Sequence, residues 1–195
     1  MQRYRFGKGE YNISTIHYHN RFQQVRESFY PPLAMLANEW MKRLGIGTTF
    51  PLYHEKLIRQ CHDKEQKRPT PLILRYEAGG YNTLHQDLYG EIYFPFQVVF
   101  VLSEEGRDYD GGEFVLIEQL PRAQSKAEVI HLKIGDALIF TTNFRPVRGT
   151  RGYYRAKIKH GVSPLKSGVR FALGSFFMTQ LGTRNRQGMQ MRCIK

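Results

Sequence analysis

The period of hydrophobic positions along the chain changes once, near residue 70. Before that point the stretch from Ser28 to Leu44 (SFYPPLAMLANEWMKRL) places Leu33, Leu36, Ala37, Trp40, Met41 and Leu44 three and four residues apart, one apolar helical stripe. Pro31 and Pro32 suit a first turn there, and Gly45 stops the helix. A second, shorter helix is predicted from His54 to Lys64, and KRPTP at 67–71 ends it. From Leu72 the texture is that of strands: LILRYE (72–77), TLHQDL (83–88), FQVVFVL (96–102), EFVLIE (113–118), AEVIHL (127–132), DALIFT (136–141), YRAKIKH (154–160) and RFALGSFFM (170–178). They are rich in β-branched and aromatic residues and separated by turns such as DYDGG and KIGD. Eight such segments after a helical preface predict a mainly β domain with N-terminal helices (α+β), rolled into a double-stranded β-helix of jelly-roll, cupin-like form. The chain reads as a single domain: a helical lead-in over 1–70, a jelly-roll core over 71–180 and a polar, basic tail over 181–195.

Composition narrows the class. With 195 residues and 41% hydrophobic content, one sizeable core is affordable. No run approaches the roughly 18 apolar residues that cross a bilayer, so no membrane role is expected. MQRYRFGKGEYN lacks the apolar middle of a secretory signal, and Cys61 and Cys193 give no disulfide framework. A reduced, cytoplasmic enzyme is the resulting expectation. Basic residues outnumber acidic ones 29 to 17, for a net charge of +12. That excess favours polyanions or acidic small molecules, and equally serves solubility.

Candidate chemistry centres on TLHQDL. His85 and Asp87 are two apart, so a strand would point both to one face, where an imidazole nitrogen and a carboxylate oxygen can reach one cation. His160, ending YRAKIKH, can supply a third ligand from across a closed barrel. Two His and one carboxylate leave three coordination positions open, the arrangement of non-haem Fe(II) oxygenases. Arg170 follows ten residues later, after SPLKSG, where a fold-back would turn its guanidinium into the same cavity to grip a carboxylate bidentately. Read singly, Arg170 fits a surface edge strand and His160 a core histidine just as well.

RYEAGGYNTLHQD (75–87), GGEF (111–114), IGDALIF (134–140) and HGVSPLKSGVR (160–170) together resemble the prolyl-4-hydroxylase-like branch of the 2-oxoglutarate/Fe(II)-dependent dioxygenases. FGKGEYN, YPPLAMLANEW and RPVRGTRGYYR extend the resemblance, across nearly the whole chain, to a bacterial 2OG-Fe(II) oxygenase family. The resemblance implies His85, Asp87 and His160 as iron ligands and catalytic centre. It also implies Arg170 as cosubstrate anchor, where relatives usually carry lysine, and Tyr76 beside the cosubstrate. It implies Fe(II), 2-oxoglutarate and O2, with ascorbate as a possible adjunct, and hydroxylation or oxidative demethylation with release of succinate and CO2. Another class of reading is a non-catalytic, metal-retaining cupin-like binding module.

The segment 143–160 (NFRPVRGTRGYYRAKIKH) holds Arg145, Arg148, Arg151, Arg155, Lys157 and Lys159 with no acid among them, and Phe144, Tyr153 and Tyr154 interleave. Alternating cations and rings suit single-stranded nucleic acid. Its place before His160 puts it, in expectation, at the active-site mouth, with Arg145, Arg148, Arg151, Tyr153 and Arg155 as substrate-binding candidates. An alkylation-repair type of nucleic-acid demethylase fits such a mouth. An acidic peptide or protein, or a small anion, is an equally open substrate. His17 and His19 read as ordinary polar positions on a possible strand, His54 and His62 as a solvated helical face, and His131 as partly buried. Cys61 and Cys193 have no motif around them, and GKGEY at 7–11 has neither the spacing nor the following helix of a phosphate loop.

Overall fold

The computed structural model describes residues 7–13 and 16–182. The basic tail beyond Gly182, including Cys193, lies outside the described residues. Two short strands, β1 (Gly7–Lys8) and β2 (Glu10–Ile13), precede helices α1 (Ile16–Arg43) and α2 (His54–Asp63). Ten more strands follow: β3 (Leu72–Glu77), β4 (Tyr81–His85), β5 (Phe96–Val101), β6 (Tyr109–Gly111), β7 (Phe114–Gln119), β8 (Lys126–Ile130), β9 (Ala137–Thr141), β10 (Phe144–Gly149), β11 (Gly152–Val162) and β12 (Leu165–Phe176). One sheet has the order β1-β4-β11-β7-β8, with β10 also on β11; the other has β2-β3-β12-β5-β9, with β6 on β12. All these pairings are antiparallel. The jelly-roll expectation is borne out.

A cluster of Tyr76, Val99, Tyr109, Phe114, Phe140, Val162, Leu165 and Ala172 draws from both sheets and holds them face to face. A larger one places Tyr30, Leu33, Ala34, Ala37 and Met41 of α1 against Phe94, Phe96, Val98 and Phe176 to Met178. Non-directional burial of this apolar surface is the main force holding helices to sheet.

Several boundaries differ from the expectation. α1 starts at Ile16, so Pro31 and Pro32 lie inside it rather than in its first turn, and His17 and His19 sit on that helix and not on a strand. The lead-in is not wholly helical, because β1 pairs with β4 and β2 with β3. His54 is buried, 3% exposed: it shares an i, i+3, i+7 stripe with Leu57 and Cys61, which turns it inward. His131 is the reverse, with its side chain 66% exposed. Among the described residues, no helix is long and apolar enough to cross a membrane.

Candidate metal centre

His85 is the last residue of β4 and pairs in direct register with His160 on β11. Beyond His85 the β4 ladder stops, so Asp87 lies past the strand end, yet its carboxylate still turns to the same point. The three offer ligand atoms within 4.8 Å of one another. Asp87 Oδ2 is 3.1 Å from His160 Nε2, Oδ1 is 3.5 Å from His85 Nε2, and the imidazole centroids are 4.2 Å apart. Asp87 and His160 are buried, and His85 nearly so.

The tautomer of His85 is fixed locally. Its Nδ1 donates to the Thr83 carbonyl at 2.7 Å, which leaves the Nε2 lone pair facing the cluster. His160 is packed by Phe114, stacked at 5.9 Å, and by Phe140, edge-on at 4.8 Å, and its Nδ1 is buried without a hydrogen-bond partner. Burial holds His160 below its ordinary pKa, against the pull of Asp87, which favours the neutral imidazole. At His85 burial acts in the same direction, but Asp87 and the Thr83 carbonyl outweigh it and raise the pKa. Burial also opposes ionisation of Asp87; the two imidazoles more than offset it and hold the carboxyl well below the usual carboxylate range. Tyr89 donates its hydroxyl hydrogen bond to Asp87 Oδ1. A buried, ionised carboxylate flanked by two imidazole Nε2 atoms is a donor set for a divalent cation, with an oxygen–nitrogen chemistry that fits Fe(II).

On β12 of the facing sheet, Arg170 is as buried as Asp87, 2% exposed. It is the direct cross-strand partner of Tyr76, and its guanidinium lies 6.0 Å from the Tyr76 ring and 5.9 Å from that of Tyr109. Its Nε has no hydrogen-bond partner, an unmet buried donor at a place where a carboxylate would satisfy it. Burial pushes the Tyr76 hydroxyl up to about 12, partly offset by the Arg170 cation. Gly112, at φ +68°, leaves the room: a Cβ there would stand 2.3 Å from Leu165 Cδ1 and 3.3 Å from Arg170 Cδ. A small cleft lined by Tyr109, Gly112, Phe114, Ile130, Leu132 and Arg170 opens alongside.

The basic segment is not one surface. Residues 144–149 form β10, which is not among the eight strands expected from the sequence, folded back on β11. Period-two alternation then sorts the candidates. Ala156, Ile158 and His160 are buried on one face of β11, whereas Tyr153, Arg155, Lys157 and Lys159 are exposed on the other. Arg145 pairs in register with Ala156, and Glu118 with Ile158, so these two share the face of His160. Arg145 Nε donates to Glu118 Oε2 at 2.5 Å. Arg148, in register with Tyr153, joins the opposite face, and Arg151 lies in the connecting turn. Of the five expected mouth residues, Arg145 alone is on the face of His160. Glu118, Tyr89 and Gln86 are not among the residues the sequence singles out, although Gln86 is the middle residue of the His–x–Asp motif and Tyr89 follows it by two.

A buried His, Asp, His cluster inside a double-stranded β-helix defines the donor class of non-haem Fe(II) oxygenases. The chain belongs to the Oxygenase-NA family, described as "oxygenase, catalysing oxidative methylation of damaged DNA", whose family model matches residues 9–179. Similar curated proteins are two uncharacterized proteins of Mycobacterium tuberculosis, MT2286 of strain CDC 1551 and Rv2227 of strain H37Rv. Each is 43% identical over 155 residues, a stretch covering 80% of this chain and 66% of theirs. The chain thus spans just under two thirds of the length of these relatives. Among solved structures, a 2OG-Fe(II) oxygenase family oxidoreductase from Burkholderia pseudomallei is similar with a TM-score of 0.40 and 22% identity, over 58% of this chain and 46% of that one. A Pseudomonas putida prolyl-4-hydroxylase has a TM-score of 0.39 and 20% identity, over 57% and 51%.

Proposed function

We propose that this chain is an Fe(II)- and 2-oxoglutarate-dependent dioxygenase that oxidises alkyl groups on damaged nucleic-acid bases. The convergence of His85, Asp87 and His160, with Arg170 buried on the facing sheet, is the observation that carries the reading. His85 Nε2, His160 Nε2 and the Asp87 carboxylate would hold the metal. The Arg170 guanidinium would grip the far carboxylate of the cosubstrate, flanked by Tyr76 and Tyr109. When bound, Fe(II) with 2-oxoglutarate and O2 supplies a C–H oxidation, one oxygen atom going to substrate and one to succinate, with loss of CO2. The protein's own part is to set the His85 tautomer through the Thr83 carbonyl, pack the His160 ring between Phe114 and Phe140, keep Asp87 ionised, and exclude water through these rings and Val162.

The substrate reading is supported by the family's description and by the β10–β11 ribbon. Among the described residues, Arg148, Arg151, Arg155, Lys157 and Lys159 form no ion pair with an acid, so their charge is free for phosphates. Arg155 lies over the Phe144 ring at 5.3 Å. Spacing of about 7 Å between alternate strand residues lets Arg155, Lys157 and Lys159 track an extended backbone. Hydroxylation of an N-methyl group gives a hemiaminal, which collapses to the free base and formaldehyde. Incubation with an N-methylated single-stranded oligonucleotide, Fe(II) and 2-oxoglutarate, read by mass loss of the oligonucleotide and formaldehyde release, tests this. Succinate formation without any change in the oligonucleotide would remove the substrate assignment and leave the enzyme class standing.

A further inference from the structure

Strands β4 and β10 occupy the same edge of β11, end to end. β4 is registered on His160 and Val162, and β10 on Gly152 to Lys157. The handover falls at Ile158, two residues before His160, and there the ladder is completed by a side chain. Gln86 Nε2 donates to the Ile158 carbonyl at 2.8 Å, to the Asn143 carbonyl at 2.8 Å and to Asn143 Oδ1 at 2.9 Å. Ile158 N–H closes the arrangement by donating to the same Asn143 carbonyl at 2.8 Å. Two N–H groups thus serve three acceptors on two separate elements.

Gln86 stands between His85 and Asp87 in the chain. After His85 the segment has left the β-ladder, and no regular strand bond fixes how Asp87 approaches β11. We propose that Gln86 is a positioning residue of the metal centre: its carboxamide staples the His85–Asp87 segment to the strand carrying His160. The staple also ties that segment to Asn143, from which the β10–β11 ribbon departs. This rests on the metal reading of His85, Asp87 and His160 and is independent of the substrate. The geometry of a metal's ligands depends on such outer contacts, whose loss typically weakens binding about 10- to 100-fold.

The test is titration of the metal-free full chain with Co(II), followed by visible absorption and calorimetry, for the parent, Gln86→Leu and Gln86→Glu. Both variants keep the side chain's bulk, and both remove its N–H donors. Asn38→Ala is the control: Asn38 bridges α1 to the Phe50 backbone at 2.9 and 2.7 Å, remote from the ligands in the chain, and its loss is expected to lower Tm alone. The inference expects Co(II) affinity to drop about 10- to 100-fold in both Gln86 variants, with an altered visible spectrum, while Asn38→Ala binds as the parent does. Parent-like affinity and spectrum in a folded Gln86 variant would overturn it. So would a drop in Asn38→Ala equal to that in the Gln86 variants, which would reduce the effect to general destabilisation. A parent chain that takes up no Co(II) would overturn the metal reading itself, and is told apart from these results by the parent titration alone.

Discussion

His85 and His160 are direct register partners on adjacent antiparallel strands, and their rings stand 4.2 Å apart. Gly161 makes that pairing possible. A Cβ at this position would meet the Asn82 carbonyl oxygen at 2.7 Å and Thr83 C at 3.2 Å, both backbone atoms of β4. Gly161→Ala is therefore expected to push β4 from β11, costing about 1–3 kcal/mol of stability. Divalent-metal affinity should fall with it, read by a thermal melt and a metal titration of the same sample.

Arg170→Ala should raise the 2-oxoglutarate concentration needed for half-maximal succinate release by about 10- to 100-fold, the loss of a charge-assisted pair. Metal uptake should stay at the parent level. Arg170→Lys keeps the charge and loses the fork, so it should fall between the two. An unmoved cosubstrate titration for Arg170→Ala would take this residue out of the anchoring role.

The two faces of the β10–β11 ribbon predict separable defects. Replacing Arg155, Lys157 and Lys159 together by Ala should lower the salt slope of oligonucleotide binding by about 2, from the single-strand value of about 0.7 per phosphate contact. Glu118→Gln and Arg145→Ala, on the face of His160, should leave that slope alone and change turnover instead. Equal effects on both measurements from both sets would merge the two faces into one.

His54 predicts an acid-side loss of stability. Burial first, then Arg26, lowers its pKa from 6.5 to about 4, with the Phe177 carbonyl and Glu27 acting in the other direction. Its Nε2 donates to the Phe177 carbonyl at 2.8 Å and its Nδ1 faces the Gln23 amide at 3.4 Å, as the neutral ring requires. The unfolded chain therefore binds the extra proton between pH 6.5 and 4, and stability falls as pH drops through that window, by up to ~3 kcal/mol. His54→Gln should flatten this part of the stability–pH curve. A parallel curve for the variant would assign the acid lability elsewhere.

How legible the site was depended on whether its determinants were local. The His–x–Asp spacing, His160 and Arg170 stood out because ligand types are chemically restricted and strand alternation is short-ranged. α1 showed its stripe for the same reason, although its start at Ile16 lay ahead of the periodic residues. The β10 strand was hidden because Pro146, Gly149 and four arginines over 145–155 read as a loop. Its formation depends on pairing with β11 rather than on propensity. Without β10 the faces of the basic segment could not be assigned, and neither could the early end of β4, whose edge of β11 is continued by β10. His54 was misread from its charged neighbours, although its spacing to Leu57 and Cys61 carried the inward signal.

The central claim is that His85, Asp87 and His160 form one iron centre that turns over 2-oxoglutarate. Its most direct test is succinate production from 2-oxoglutarate under Fe(II) and O2, by the parent chain and by Asp87→Ala. The account predicts steady succinate release by the parent and none above background for the variant. Release at the parent rate by Asp87→Ala would contradict it.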